Sequence, residues 1–178
     1  MKGWRTRSGG HGALIAALMS LALLVPAAAQ AQQMVIFVRH AERADGGAVA
    51  GGMNAAPADP LLSAVGQARA EKLALMLADA GIKAIYATEF HRTQDTGKPL
   101  ATKLGLKVET VAASETAALA AKIRTDHARD VVLVIGHSNT VPAAIKAMGG
   151  PAITMKDDEY DAIFVLNPST GGFTIFRY

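Results

Sequence analysis

The sequence predicts an α/β fold, a three-layer α/β/α sandwich around a mainly parallel sheet with an antiparallel strand at its edge. Three observations carry this. The run Met34 to Arg39, apolar up to its last residue, and the uninterrupted apolar run Val131 to Ile135 read as strands buried on both faces, because a strand covered above and below by helices has no solvent face to make polar. Strand-like and helix-like stretches then alternate for most of the length, the pattern of βαβ units. Finally, Ala162 to Asn167 and Phe173 to Tyr178 flank Pro168-Ser169-Thr170-Gly171-Gly172, which predicts a terminal hairpin.

The first 31 residues are set apart from this pattern. Lys2, Arg5 and Arg7 form a basic start, Ala13 to Val25 an apolar stretch, and Ala29-Gln30-Ala31 an A-x-A cleavage site, so residues 1–31 are expected to be a signal peptide and 32–178 a single domain. Retention as a membrane anchor is the alternative, but roughly 13 apolar residues fall short of the ~20 that span a bilayer. Export to the periplasm or release from the cell is the expected destination. The whole chain has a net charge of +3. Its signal segment carries three basic and no acidic residues, leaving 15 basic against 15 acidic. A near-neutral domain gives no ground for nucleic acid or an anionic membrane as partner. The absence of cysteine excludes disulfides, thiolate zinc sites and a cysteine nucleophile.

Taken in order, Met34 to Arg39 is the first strand. Residues 44 to 60 are rich in Gly, Ala, Pro and Asp without periodicity, as in a surface loop. Ser63 can cap a helix whose Leu73, Met76, Leu77 and Ala80 form a core stripe, with Gly81 as its stop. Ala84 to Ala87 is a short strand, Thr88 to Arg92 a loop, and the helix after it is expected to end at Leu104 before Gly105. Lys107 to Thr110 reads as a third strand, Glu115 to Asp126 as a third helix, and Val131 to Ile135 as a fourth strand. Gly136-His137-Ser138 turns into a fourth helix ending at Gly149-Gly150.

Ligand sites of open α/β sheets lie beyond the carboxyl ends of the strands. There the sequence places Arg39-His40, His91-Arg92 and His137. One such residue would ordinarily be a surface group. Several cationic groups together repel one another unless an anion offsets them. Two arginines can grip a phosphate from two sides through their planar forks. The candidate nucleophiles are Ser, Thr, Asp and His. A neutral imidazole on His40 could attack phosphorus, while His137 donates to the phosphoryl oxygens and the turn through Ser138 offers N–H groups to an anion.

The pieces Arg39-His40-Ala41-Glu42, Asp59-Pro60-Leu61-Leu62-Ser63, Gly66-Gln67-Ala68-Arg69-Ala70, Thr88-Glu89-Phe90-His91-Arg92-Thr93-Gln94-Asp95-Thr96 and Val134-Ile135-Gly136-His137-Ser138-Asn139-Thr140-Val141-Pro142 follow one another across nearly the whole of residues 32–178. In this order they resemble the histidine phosphatase superfamily, in the branch that includes the phosphoglycerate mutases. The resemblance implies a phosphoglycerate mutase-like fold and a phosphatase acting through a phosphohistidine on His40. It also implies a phosphate pocket of Arg39, Arg92, His137 and Ser138, a phosphorylated small-molecule substrate, and no metal or other cofactor. The short length is similar to that of small exported phosphatases of the branch. Ala41 stands where glycine is commoner, a change expected to be tolerated, and Glu42 is in a place that in the family organises the loop.

A leaving alkoxide needs a proton, and many members of the branch supply a carboxylate from the segment after the second arginine. Glu109 and Glu115 are the candidates, with Glu115 taken as the general acid; it could equally serve the dipole of the helix it begins. Asp157, Asp158 and Glu159 are expected to form a solvated face. Two alternatives keep the same pocket: a phospho-ligand-binding protein with little or no turnover, and a phosphomutase, which would need an additional basic cluster not evident in the sequence. A metal hydrolase built from His40, Glu42 and His91 or His137 fits poorly, since there is no H-E-x-x-H and the paired arginines would repel a dication.

Overall fold

The computed structural model describes Met1, residues 33–46 and residues 59–178. The expected signal segment, apart from Met1, and residues 47–58 of the expected loop lie outside the described residues.

Ten elements follow in order: β1 (Met34–Arg39), α1 (Ala64–Leu77), β2 (Ile82–Ala87), α2 (His91–Leu104), β3 (Val108–Thr110), α3 (Thr116–Asp126), β4 (Val131–Gly136), α4 (Thr140–Ala147), β5 (Ala162–Asn167) and β6 (Gly172–Arg177). The strands form one sheet in the order β3-β2-β4-β1-β5-β6. The first four in that order run parallel, while β5 pairs antiparallel with β1 and with β6. The sheet is therefore mainly parallel with an antiparallel pair at one edge.

Successive side chains of a strand point to opposite faces, and the two cores divide accordingly. Val35 and Phe37 of β1, Tyr86 of β2 and Val132 and Val134 of β4 pack with Leu119, Ile123, Val141 and Ile145 of α3 and α4. Ile36, Val38, Ile85, Leu133 and Ile135 pack on the other face with Leu73, Leu77 and Leu100 of α1 and α2. Full burial of one such side chain is worth about 1.5–3 kcal/mol, which explains why the core strands read as unbroken apolar runs.

This division decides where the site is. The chain leaves β1 for α1 on one face and leaves the neighbouring β4 for α4 on the other. A crevice therefore opens between the carboxyl ends of two adjacent strands, where strand order reverses. Register makes those ends level, with Arg39 opposite Gly136 and Ala87 opposite Ile135.

Element boundaries follow local chemistry. Ser63 accepts the Gly66 amide at 3.0 Å and caps α1. Gly105 closes α2 at φ 67°, returning its N–H to the Ala101 and Thr102 carbonyls, a left-handed cap that glycine adopts without cost. Three details differ from the sequence reading. In α1, Leu73 and Leu77 are buried but Met76 is 47% exposed, because the buried arc runs through Gly66, Ala70, Leu73, Ala74 and Leu77. Met76 lies about 110° round the helix from its centre at ~100° per residue. β2 starts two residues earlier than expected, at Ile82, since the exposed Lys83 and a register irregularity between Ile82 and Ala84 interrupt its apolar pattern. Finally, α2 begins at His91, so Arg92 stands in a helical turn rather than in a loop. No helix among the described residues is long and apolar enough to cross a membrane.

Candidate active site

Arg39, His40, Arg92, His137 and Ser138 all line one cavity of about 540 Å³ at the carboxyl ends of β1, β2 and β4. Arg39 and His40 leave β1, and the His40 amide donates to the Gly136 carbonyl at 2.9 Å, which continues the β1–β4 ladder one residue past Arg39. The rings of His40 and His137 are 5.2 Å apart between centroids, within hydrogen-bonding reach of one shared anion.

His40 is 3% exposed, and its Nδ1 is 2.8 Å from the Ala41 carbonyl oxygen. A carbonyl can only accept, so Nδ1 carries the hydrogen and the neutral ring presents Nε2 as a bare lone pair. Burial, opposed by that hydrogen bond and reinforced by the charges of His137, Arg39 and Arg92, lowers the His40 pKa from 6.5 to about 3. The ring is therefore neutral at physiological pH.

Each arginine is held by a carbonyl or carboxylate and covered by an aromatic face. Arg39 Nη1 donates to the Lys156 carbonyl at 3.1 Å, and its guanidinium lies 4.3 Å from the Tyr160 ring centroid. Arg92 Nη1 lies 3.4 Å from Asp59 Oδ1, and its guanidinium is 4.3 Å from the Phe90 centroid. Asp59 also accepts the His91 amide at 2.9 Å and binds His91 Nδ1 at 2.7 Å. Burial raises the Asp59 pKa, but the His91 bonds and the Arg92 charge outweigh it and hold the carboxyl below the usual range. Stacking and backbone contacts fix the guanidinium planes; burial and the nearby Arg43 lower the Arg92 pKa. Arg39 Nε is buried with no hydrogen-bond partner among the described residues.

His137 sits between strand and helix. Its amide donates to Thr140 Oγ1 at 2.8 Å, and its Nε2 is 2.9 Å from Thr88 Oγ1. Burial, with Arg92 adding to it, Glu89 opposing it and Arg39 and Arg43 adding further, lowers its pKa to about 4. Ser138 donates to Asp157 Oδ1 at 2.8 Å.

The loop after His40 is clamped from below. Glu42 takes three contacts from Arg69, at 2.6, 2.8 and 2.9 Å, and the Glu42 carbonyl accepts the Ser63 amide at 2.9 Å. Burial raises the Glu42 pKa, yet the Arg69 hydrogen bonds and charge bring it below the usual carboxylate range. Gly66 lets α1 approach this loop, since a Cβ there would lie 2.2 Å from the Glu42 carbonyl oxygen. Ala41 is fully buried against Leu62 and Ala70, so its methyl fills space that glycine would leave. Its amide donates to Thr96 Oγ1 at 3.0 Å, and Thr96 in turn donates to the Arg92 carbonyl at 2.7 Å. That single hydroxyl ties the His40 loop to the helix that carries Arg92.

The two carboxylates considered as proton donors do not line the cavity. Glu115 is an exposed N-cap of α3 without a side-chain cap bond, beside Ser114, which does line it. Glu109 is exposed on β3 and acts on Tyr86. Asp157 lines the cavity, so the Asp157-Asp158-Glu159 run is not merely a solvated face, and Glu159 pairs with Arg177 at 2.6 Å. Sequence reasoning missed Arg43, Phe90 and Tyr160 of the lining. Phe90 and Asp59 stand inside motifs already quoted, whereas Tyr160 lies in a stretch with no periodicity or motif to mark it. A depression of about 590 Å³ between α1 and α2 is slightly larger, but its lining holds no imidazole or guanidinium. Among the described residues no three of His, Asp and Glu gather as a metal site would require.

Residues 35–115 match the family model of the histidine phosphatase superfamily (branch 1). The fold is similar to that of a mycobacterial glucosyl-3-phosphoglycerate phosphatase in complex with VO3, 15% identical, with a TM-score of 0.61 over 82% of this chain and 98% of that one. Phosphoserine phosphatase from Entamoeba histolytica in complex with 3-phosphoglyceric acid is 12% identical, with a TM-score of 0.57 over 81% and 95% of the two chains. The protein histidine phosphatase SixA in complex with tungstate is 21% identical, with a TM-score of 0.57 over 80% and 94%. No curated protein is matched by sequence.

Proposed function

We propose, from the match of residues 35–115 to the family model of the histidine phosphatase superfamily (branch 1), that the chain hydrolyses phosphate monoesters through a covalent phosphohistidine on His40. The family and the phosphatase folds it is similar to support a phosphatase-type activity. The observation that carries the finer reading is the His40 tautomer: Nδ1–H is spent on the Ala41 carbonyl at 2.8 Å, which leaves Nε2 as a nucleophile facing a cavity lined by Arg39, Arg92 and His137.

In this reading the two guanidinium forks and the Ser138 turn hold the phosphoryl oxygens. The His40 Nε2 lone pair attacks phosphorus in line, the P–N bond forms, and the ester P–O bond breaks with its electron pair on the leaving oxygen. Water then attacks the phosphohistidine, the P–N bond breaks, and neutral His40 and inorganic phosphate are regenerated. Arg39, Arg92 and His137 stabilise the charge that gathers on the equatorial oxygens in both steps. The fixed orientation of the imidazole adds to this, because the nucleophile needs no reorganisation before attack.

One carboxylate must protonate the leaving oxygen, and Glu115 is the first candidate because its neighbour Ser114 lines the cavity. Asp157 is the second candidate, favoured by its place in the lining. Residues 1–31 serve in this reading as an export signal, and residues 32–178 form the mature domain.

The test is turnover of p-nitrophenyl phosphate by the chain and by His40→Ala, with trapping of the labelled phosphoenzyme. We expect label and turnover in the parent and neither in the variant. Equal rates in the two proteins reject the mechanism, and binding without turnover favours the alternative of a phospho-ligand-binding protein. Glu115→Gln and Asp157→Asn separate the proton donors: the true one loses rate on alkyl phosphates, about 10²-fold or more, and keeps it on p-nitrophenyl phosphate, whose leaving group needs no protonation.

A further inference from the structure

Thr88 and Thr93 are buried hydroxyls next to the site that the chemistry above leaves without a role. Thr88 follows β2, and Thr93 lies in the first turn of α2. Thr93 Oγ1 is 2.7 Å from the Phe90 carbonyl oxygen and 3.0 Å from the Thr88 carbonyl oxygen. Carbonyls only accept, so the one hydroxyl proton of Thr93 is committed to them. Thr93 Oγ1 is also 2.8 Å from Thr88 Oγ1, and with its proton spent it accepts there, which makes Thr88 the donor. The Thr88 oxygen then has only lone pairs left for His137 Nε2, 2.9 Å away. That contact is a hydrogen bond only when Nε2 carries the hydrogen. Any other distribution leaves close oxygen pairs with no proton between them in a buried place, where an unmade hydrogen bond carries its full desolvation penalty.

We propose that Thr88, oriented by Thr93, is a positioning residue that fixes His137 as the Nε2–H tautomer and so reserves Nδ1 for the phosphate. Nδ1 has no hydrogen-bond partner among the described residues, and His137 lines the cavity. The two imidazoles of the site are thus held in opposite tautomers. His40 bears its hydrogen on Nδ1 and attacks with Nε2; His137 bears its hydrogen on Nε2 and meets the anion with Nδ1.

A bare Nδ1 repels a phosphoryl oxygen, so it must gain a proton before it can help. The monoanionic ester supplies it: the P–O–H proton moves to Nδ1, leaving a dianion against an imidazolium with total charge unchanged. The pocket accordingly takes the ester together with one proton. This last consequence rests on the phosphatase reading, whereas the tautomer rests only on the hydroxyl geometry.

The test is long-range ¹H–¹⁵N spectroscopy of the full chain with ¹⁵N-labelled histidine at neutral pH, alongside turnover of p-nitrophenyl phosphate. The parent protein is expected to show His137 as Nε2–H and His40 as Nδ1–H. Thr88→Val keeps the shape and removes the hydroxyl; it is expected to move His137 to a mixture of tautomers and to lower kcat/KM about 10- to 100-fold, and Thr88→Ser to restore both. A parent His137 protonated on Nδ1 overturns the proposal without recourse to any variant, as does Thr88→Val with tautomer and rate unchanged. If His40→Ala retains full turnover while His137 is Nε2–H, the phosphatase mechanism falls and the tautomer assignment stands. If His40→Ala is inactive while His137 is Nδ1–H, the reverse holds.

Discussion

Acid should destabilise the anion-free protein well before its carboxylates protonate, because two imidazoles are buried among arginines. His40 titrates at about 3 and His137 at about 4 in the folded chain, against 6.5 for an unperturbed ring. Below pH 6.5 the unfolded chain therefore binds more protons than the folded one. Stability is complete above that pH and falls as pH drops, until the folded-state rings themselves protonate. Each pH unit costs about 1.36 kcal/mol per ring, so at pH 5 each loses about 2 kcal/mol and the pair about 4 kcal/mol relative to pH 8. That is a large share of the ~5–15 kcal/mol that holds a typical domain together. Glu42 and Asp59, whose carboxyls are held below their usual range, add their losses only at lower pH, so the window from pH 7 to 5 isolates the histidines. The assay is urea unfolding across that window in a buffer free of phosphate and other oxyanions. His40→Asn should remove about half of the pH dependence, and vanadate should suppress the His137 share of it in the parent by favouring that ring's charged form. A parent protein as stable at pH 5 as at pH 7, or a His40→Asn variant with the same slope as the parent, refutes the reasoning.

Gly66→Ala forces a methyl into the Glu42 carbonyl, with a separation of 2.2 Å before relaxation; because backbone cannot swing aside, we expect a loss of about 3 kcal/mol in chemical unfolding and a larger proportional loss of turnover as the His40 loop shifts. Arg92→Lys keeps the charge but loses the planar fork stacked at 4.3 Å on Phe90; kcat/KM should fall about 10²-fold with an unchanged unfolding midpoint, and an unaltered kcat/KM would show that the fork is not used.

The sequence by itself determined the layered α/β fold. Strands β1 and β4 are buried on both faces, and that environment leaves an unbroken apolar signature from Met34 and Val131 onward. It also placed Arg39, His40, Arg92 and His137 at the strand ends, the edge to which a fold of this class confines a ligand site, and all four line one cavity there. Glu42 as the organiser of its loop was an expectation of the family resemblance, and its three contacts with Arg69 agree with it.

Other features were decided only in three dimensions. Met76 has the hydropathy of a core residue, but the small side chains of Ala70 and Ala74 set which side of α1 faces the sheet. Tyr160 and Lys156 reach Arg39 from a stretch more than a hundred residues away, and no local pattern encodes such a contact. The carboxylate lining the cavity is Asp157 rather than Glu115, because the return of the chain from α4 to β5 passes over the site while the N-cap of α3 points outward. The hydrogen on each imidazole was also invisible in the sequence. It depends on whether a carbonyl or an already committed hydroxyl lies within 3 Å of a given nitrogen, and close packing between distant segments alone sets that distance.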